Sequence, residues 1–317
     1  MHLLRLQNVT KHLGTGKSRR AVLRGVSLTV NRGEIVSLAG PSGSGKTTLL
    51  LQALRLQQHE SGIIEWNGSR VEHLSESQLR PLRRRMQIIF QNSSASLDRL
   101  LPIRRLLAEP LHIHRIPVRE HDARMAEAFS LVGLQTELLS RYPGQLSGGQ
   151  LQKVAIARAL IVKPAFVACD EIVSSVDYSQ RKRLLSLLQE ICSSSDVSFL
   201  LSTHNLAEAG AISSRIYVLL AGRVIEHGPG ADVAERPLHP FTDFLMLAAR
   251  QPRLLADRPD RIDLSAGSSG NGCPFARNCP RVEKTCLEED PPLRPVTGHR
   301  EVACHFPLVD VSPDSDL

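Results

Sequence analysis

Eight consecutive residues, Gly40-Pro41-Ser42-Gly43-Ser44-Gly45-Lys46-Thr47, constrain what this chain can fold into more than any other stretch. They fit the pattern G-x-x-x-x-G-K-[ST] and lie between two contrasting flanks. Upstream, Ile35-Val36-Ser37-Leu38-Ala39 is an apolar run of the length of a buried strand; downstream, Thr47-Thr48-Leu49-Leu50-Leu51-Gln52-Ala53-Leu54 reads as a helix. Strand, glycine-rich turn and helix in that order predict a β-loop-α unit. The glycines let backbone N–H groups close around phosphate oxygens, and the helix N-terminus adds a dipole that favours the anion. In this cradle Lys46 is expected on the β- and γ-phosphates and Thr47 on Mg²⁺, with Thr48 the next residue of the helix start. A glycine-rich turn formed by chance is the competing explanation, and it accounts for neither flank.

The rest of the chain supplies a sheet into which such a unit packs. Further strand candidates are residues 86–90, 166–169, 197–202 and 215–220, the last followed by an Ala221-Gly222 turn and Val224-Ile225. Strands alternating with helices imply an α/β fold with a largely parallel sheet. Between about residues 91 and 153 the periodicity becomes helical, with Ala126, Phe129, Leu131 and Val132 on one face, which predicts an inserted helical subdomain. At 317 residues and 42% hydrophobic content, the chain can build a large α/β domain with a smaller appendage. It has no apolar run of the ~18 residues needed to span a bilayer, and Met1-His2-Leu3-Leu4-Arg5 lacks the apolar region of a signal peptide. A cytosolic chain that borrows any membrane role from partners is expected. The formal charge of +7 would suit nucleic acid, but beyond Arg80 and Arg83-Arg84-Arg85 the basic residues are scattered, which favours a solvated face.

Phe166-Val167-Ala168-Cys169-Asp170-Glu171 is an apolar strand ending in two acids, the form of a Walker B segment. Asp170 is expected to hold Mg²⁺, directly or through water, and Glu171 to polarise the attacking water as general base. Leu146-Ser147-Gly148-Gly149-Gln150 then precedes Val154-Ala155-Ile156-Ala157-Arg158-Ala159-Leu160 in helical register, and 23 residues separate Ser147 from Asp170. This pentapeptide is the ABC signature letter for letter, so the chain resembles the ABC ATPases. The resemblance implies a RecA-like P-loop NTPase core. It also implies that Ser147, Gly148, Gly149 and Gln150 complete a site on the nucleotide held by a second subunit. Gln91 resembles the Q-loop glutamine that senses Mg²⁺ or water. Ser174-Ser175-Val176-Asp177 resembles the D-loop, though with Ser175-Val176 where Ala-Leu is commoner. His204 resembles the switch histidine on the γ-phosphate, followed by Asn205 in place of the usual Asp. The aromatic residue that usually stacks on adenine is missing from Val9-Thr10-Lys11-His12-Leu13; either His12 stacks or Leu13 offers an apolar face.

Pro237-Leu238-His239-Pro240-Phe241-Thr242 resembles the His-Pro-aromatic-Thr motif of ATPases from oligopeptide, dipeptide and nickel importers, and residues 90–98 are similar to their Q-loop region. The resemblance implies an ABC ATPase domain over residues 1–236, its helical subdomain at about 91–153, and a transporter-type extension over 237–317. Its partners would be two membrane permease subunits, a second ATPase subunit (a paralogue or another copy of this chain) and, indirectly, an extracytoplasmic solute-binding protein. Such a subunit works at the cytoplasmic face of the membrane and couples ATP hydrolysis to uptake of peptides, nickel or metal chelates. The alternative is a non-transport ABC ATPase acting on nucleic acid or ribosomes; that class generally has two fused ATPase domains or a coiled-coil insertion, and this chain has one P-loop, one signature and no heptad run.

Six cysteines complete the inventory. Cys169 and Cys192 lie among apolar residues, whereas Cys273, Cys279, Cys286 and Cys304 crowd into the last fifth of the chain, within a cysteine module at residues 272–307. In a reducing compartment that cluster suggests metal rather than disulfides. The spacings of five, six and seventeen residues lack the paired C-x₂-C knuckles of common zinc sites. Four thiolates can instead close around a [4Fe–4S] cube, as in some members of the importer subfamily resembled here, with zinc as the alternative. Since a module this short buries little core, metal is expected to hold it folded.

Overall fold

The computed structural model describes residues 2–91, 97–174, 177–250, 272–296 and 298–308. Residues 92–96 of the Q-loop region, Ser175 and Val176 of the D-loop, and the Pro- and Asp-rich stretch up to residue 271 lie outside the described residues.

The parallel sheet is built on strands whose centres are short apolar runs. β3 (Ile35–Ala39), β7 (Phe166–Asp170) and β8 (Ser198–Thr203) are buried along their whole length, as strands covered on both faces must be. With β6 (Met86–Ile89) and β9 (Arg215–Leu220) they form a parallel array in the order β9-β3-β8-β7-β6. α1 (Lys46–Ala53) follows β3, α5 (Gly148–Leu160) precedes β7, and α6 (Tyr178–Ser195) follows it. α7 (Leu206–Ile212) leads from β8 into β9.

A second, antiparallel sheet was not expected from the sequence. β1 (His2–Leu13) and β2 (Arg20–Asn31) pair with Leu4 opposite Val30, Leu6 opposite Leu28 and Val9 opposite Val26. β4 (Ser61–Trp66) and β5 (Ser69–Arg70) complete it in the order β2-β1-β4-β5. Its apolar face packs with Leu49, Leu50 and Ala53 of α1 and with Phe166 of β7; Trp66 meets Phe166 edge to face at 5.1 Å and donates its indole N–H to the Ala53 carbonyl at 3.0 Å. β1 and β2 each mix buried with half-exposed positions, and that weak alternation is why they did not stand out as strands.

Helices dominate the chain on either side of β6 and up to β7. α2 (Glu76–Arg83) precedes β6, and α3 (Ile103–Ile113) and α4 (His121–Leu131) pack on α5. Along α4 the buried face is His121, Met125, Ala128 and Phe129, with Val132 just beyond; Ala126, assigned to that face from the sequence, is exposed. The actual stripe steps by four, three and one residues, so it includes 125 and 128 and leaves 126 on the opposite side of the turn.

The C-terminal part is a graft on the cassette rather than a separate module. β10 (Arg223–Pro229) pairs antiparallel with β9, and α8 (Gly230–Glu235) and α9 (Pro240–Arg250) pack beside α7. β11 (Arg294–Pro295) and β12 (Glu301–Val302) then extend the main sheet beyond β10. Phe275 is buried against Phe241 at 5.3 Å, edge to face, in the same cluster as Leu206 and Val218. Buried Glu226 of β10 accepts N–H bonds from Leu238 and His239 and a 2.7 Å bond from the Arg300 guanidinium. The extension is therefore packed on the main sheet through these contacts, which the expectation of a short module held folded by metal did not include.

Candidate functional site

Four strand ends meet in one crevice. In an open parallel sheet, the C-terminal strand ends and the loops that leave them form the natural binding cleft. β3 delivers the glycine-rich loop there, β7 delivers Asp170 and Glu171, β6 delivers Gln91, and β8 delivers His204.

The loop from Gly40 to Gly45 needs its glycines for space as well as for backbone freedom. Gly45 has φ +106°, and a Cβ there would lie 2.8 Å from the Val22 carbonyl oxygen. β2 thus forms one wall of the loop, which places the antiparallel sheet next to the cradle. Lys46 is buried and donates to the carbonyls of Gly40 (2.8 Å) and Pro41 (2.9 Å), with Glu171 Oε1 at 3.7 Å. Burial lowers its ammonium pKa, and the carboxylates of Glu171 and Asp170 oppose that shift.

Thr47 donates its hydroxyl to Asp170, at 2.8 Å to Oδ2 and 3.1 Å to Oδ1. A hydroxyl and a carboxylate side by side form a hard oxygen donor pair of the kind Mg²⁺ takes. Gln91 Nε2 donates to Glu171 Oε2 at 3.2 Å and to the Ser174 hydroxyl at 3.4 Å. His204, half exposed, brings Nδ1 to 3.9 Å from the same Oε2. The structure thus brings together Lys46, Thr47, Asp170, Glu171, Gln91 and His204. Asn205, which departs from the usual Asp, caps α7 by accepting the Glu208 N–H at 3.2 Å, so its side chain has a local role.

One residue of this crevice was missed from the sequence. Ser202, 2% exposed, donates to Asp170 Oδ1 at 2.6 Å and accepts the Glu171 N–H at 2.9 Å. Ser174 donates to the Glu171 carbonyl at 2.8 Å. A serine in a buried strand carries no signal in itself, and only the pairing of β7 with β8 shows what Ser202 touches, whereas Ser174 belongs to the segment that resembles the D-loop.

The signature stands apart. Ser147 caps α5 by accepting the Gln150 N–H at 3.3 Å, and Gln150 Oε1 accepts the Ser147 N–H at 2.9 Å, a reciprocal capping box. Gly148 and Gly149 follow at the helix start, with Ser147 and Gly148 exposed. Gln152 ties this helix to the Ile172 carbonyl at 3.1 Å. Among the described residues, no hydrogen bond or ion pair joins residues 147–150 to the glycine-rich loop, Asp170 or Glu171. Asp177 is exposed at the start of α6, where its carbonyl accepts the Gln180 and Arg181 N–H groups.

His12 is tied to Glu60: its backbone N–H and its Nδ1 meet Glu60 Oε2 at 2.6 and 3.0 Å, and Arg19 reaches Glu60 Oε1 at 3.2 Å. The His12 hydrogen bond is the main reason that the exposed Glu60 carboxyl is drawn down to about 2.

At the other end of the chain, Cys273, Cys279, Cys286 and Cys304 line one cavity together with His239. His239 is buried; its Nδ1 accepts the Phe241 N–H at 2.9 Å, and its Nε2 lies 4.0 Å from Cys273 Sγ. The cavity measures about 10 Å³, room for one water-sized sphere and not for a cube of four irons and four sulfides. Among the described residues, no group of three or more His, Cys, Asp or Glu is arranged to hold a metal ion. The expected [4Fe–4S] cluster, and zinc in its place, are therefore not supported by the packing of these loops.

Comparison with known proteins decides the family. The pattern described as ABC transporter matches residues 23–174, and the oligopeptide/dipeptide transporter C-terminal region matches residues 225–286. A putative peptide import ATP-binding protein of Brucella abortus (strain 2308) is 38% identical over 298 residues, covering 90% of this chain and 88% of the relative. The chain belongs to the ABC transporter family. This ABC ATPase is also 34% identical over 314 residues to a putative oligopeptide transport ATP-binding protein, YkfD, of Bacillus subtilis (strain 168), with coverage of 96% and 95%. Its fold matches the dimeric ATP-binding cassette MJ0796 in a post-hydrolysis state bound to ADP and Pi, at TM-score 0.64 and 29% identity over 71% of this chain and 98% of that one. CbiO1 of Clostridium perfringens shares the fold at TM-score 0.68 and 22% identity, covering 80% and 97%. Among the described residues no helix is long and apolar enough to cross a membrane.

Proposed function

We propose that this ABC ATPase is the ATP-hydrolysing subunit of a peptide importer. It works at the cytoplasmic face of the membrane with two separate permease subunits and a second ATPase subunit. The observation that carries the catalytic part is that Thr47 bonds Asp170 while Lys46 and Gln91 reach the next residue, Glu171. Residues 40–48 hold the phosphates, and the Lys46 ammonium neutralises charge on the β- and γ-phosphates. Thr47 and Asp170 would hold Mg²⁺, which would draw charge from the phosphate oxygens. Glu171 takes a proton from the attacking water as its oxygen bonds to the γ-phosphorus and the bond from that phosphorus to the β–γ bridging oxygen breaks, releasing ADP. Gln91 and His204 orient that water and the γ-phosphate. Ser147, Gly148, Gly149 and Gln150 act on the nucleotide of the partner subunit, since a capped helix start exposed to solvent is an anion site without a phosphate of its own. Asp177 lies beside that interface, and His12 or Leu13 meets the nucleobase.

Peptides, rather than nickel chelates, are the cargo because both relatives described above are named for peptides, and because residues 225–286 match the oligopeptide/dipeptide transporter region. That same region separates transport from a role on nucleic acid. Permease contact is supported by an open groove of about 510 Å³ between α2, β6 and the end of α3, where Leu56 and Ile113 are exposed beside Arg80 and Arg83. For the C-terminal thiols, the donor set of four cysteines on one cavity supports a soft-metal site, [4Fe–4S] before zinc, which requires the loops to open around the metal. Anaerobic protein with neither iron and sulfide nor zinc ends that assignment.

The decisive experiment places the chain, its ATPase partner and the permease in vesicles with a peptide-loaded binding protein. ATP hydrolysis should rise and labelled peptide should accumulate on the side of the ATPases. Hydrolysis that peptide does not stimulate, with no accumulation, overturns the importer assignment.

A further inference from the structure

We infer that Ser202 is a positioning residue that couples the Mg²⁺ ligand to the catalytic base. The inference rests on the nucleotide-site reading above and goes beyond it by assigning a residue outside every motif. Ser202 lies on β8, one strand away from Asp170, with the two opposite each other in the ladder. It is 2% exposed, so neither of its hydrogen bonds has water as a substitute.

Its single hydroxyl makes two bonds at once. The proton goes to Asp170 Oδ1 at 2.6 Å, and a lone pair accepts the Glu171 N–H at 2.9 Å. The Thr47 hydroxyl favours the other oxygen, Oδ2, at 2.8 Å. With Oδ1 engaged by Ser202 and the carboxylate plane fixed by two donors, Oδ2 is the oxygen left beside Thr47 to serve a cation. A carboxylate held at both ends does not spend rotational freedom when it becomes a ligand, and partners of this kind are worth roughly 10–100-fold in metal affinity.

The second bond acts on the base. Glu171 has φ +45°, a left-handed conformation that costs a non-glycine residue on the order of 1 kcal/mol and persists only where surroundings hold it. Ser202 holds the N–H side of that residue, and Ser174 holds its carbonyl at 2.8 Å. Those two bonds aim the Glu171 side chain at Gln91 and Lys46. One hydroxyl therefore sets both the orientation of the cation ligand and the backbone turn that presents the base.

The test uses the full chain bearing Ser202→Ala, Ser202→Val or Ser202→Thr. The last two have the same shape and differ in the hydroxyl, so loss of packing affects both and loss of the hydrogen bonds affects one. Mn²⁺ binding to the ADP-loaded protein is measured by electron paramagnetic resonance, and ADP affinity is measured separately in EDTA. Ser202→Ala and Ser202→Val should weaken Mn²⁺ by at least about 10-fold, and Ser202→Thr should recover most of it. ADP affinity in EDTA should stay within about two-fold, because the glycine-rich loop and Lys46 are untouched. In the assembled transporter at saturating Mg²⁺ and ATP, kcat should also fall for Ala and Val, by about 10-fold or more. Mn²⁺ affinity and kcat for Ser202→Ala equal to the parent would overturn the inference. A parent that binds no Mn²⁺ with ADP would overturn the nucleotide-site reading itself.

Discussion

Replacing Arg300 by Met tests what attaches the C-terminal extension to the cassette. The substitution keeps an apolar stem of similar length and removes only the guanidinium. Arg300 is almost buried, and it donates to Glu226 Oε1 at 2.7 Å and to the Arg236 carbonyl at 2.6 Å. Glu226 has no exposed surface, so without Arg300 its carboxylate keeps, among the described residues, the N–H groups of Leu238 and His239. Breaking one side of a buried ion pair typically costs 3–5 kcal/mol; with those donors left, the lower figure of about 3 kcal/mol applies. Glu226 lies on β10 beside β12, where the Ala303 N–H bonds the Ile225 carbonyl at 2.8 Å. Hydrogen exchange at Ala303, read by mass spectrometry, should accelerate by about 100-fold, the ratio that about 3 kcal/mol represents. Burial already pushes the Glu226 carboxyl up, and losing Arg300 removes one of the hydrogen bonds that oppose this. The folded variant then holds its proton to higher pH than the unfolded chain does, so its stability falls as pH rises above the ordinary carboxylate range. The Arg300→Met deficit should therefore be smaller at pH 5 than at pH 8, and adding Glu226→Gln should recover part of it. Parent-like exchange at Ala303 in Arg300→Met at pH 8 would refute the reasoning.

Glu171→Gln should retain ATP binding while kcat falls by roughly 10²–10⁴, because the amide accepts no proton and the phosphate cradle is intact; turnover near that of the parent in the assembled complex would remove Glu171 as base. Gly149→Ala should fold with near-parent thermal stability, since the added Cβ would meet only the mobile end of Gln180 at 2.8 Å, yet ATPase activity of the dimer should drop sharply. Equal activity for that variant would contradict a signature that contacts the partner's nucleotide.

Several features were legible because they are contiguous. The segments 40–47, 146–150 and 166–171 each contain, within a few residues, both the side chains and the backbone preferences that build their geometry. Ser147 and Gln150 form their own capping box, and the glycines near Lys46 make their own loop. The burial of β3, β7 and β8 followed from the apolar residues at their centres. The face of α4 was misjudged at Ala126, because the buried stripe runs through Met125 and Ala128 on either side of it.

What the amino-acid order determined by itself was the set of local devices: the phosphate loop, the acid-ended strand, the capped signature helix and the family they mark. Tertiary structure alone decided which distant residues share a polar atom. Ser202 and Asp170 are 32 residues apart and meet because β7 and β8 align in one register; Glu226 and Arg300 are 74 apart and meet across β10 and β12. The four C-terminal cysteines, suggestive as a string, close on a cavity of about 10 Å³ because the cassette anchors their loops through Phe275 and Arg300. Short-range pattern records propensity and spacing, whereas a hydrogen bond between strands depends on sheet order and register, which are set by how the whole core packs.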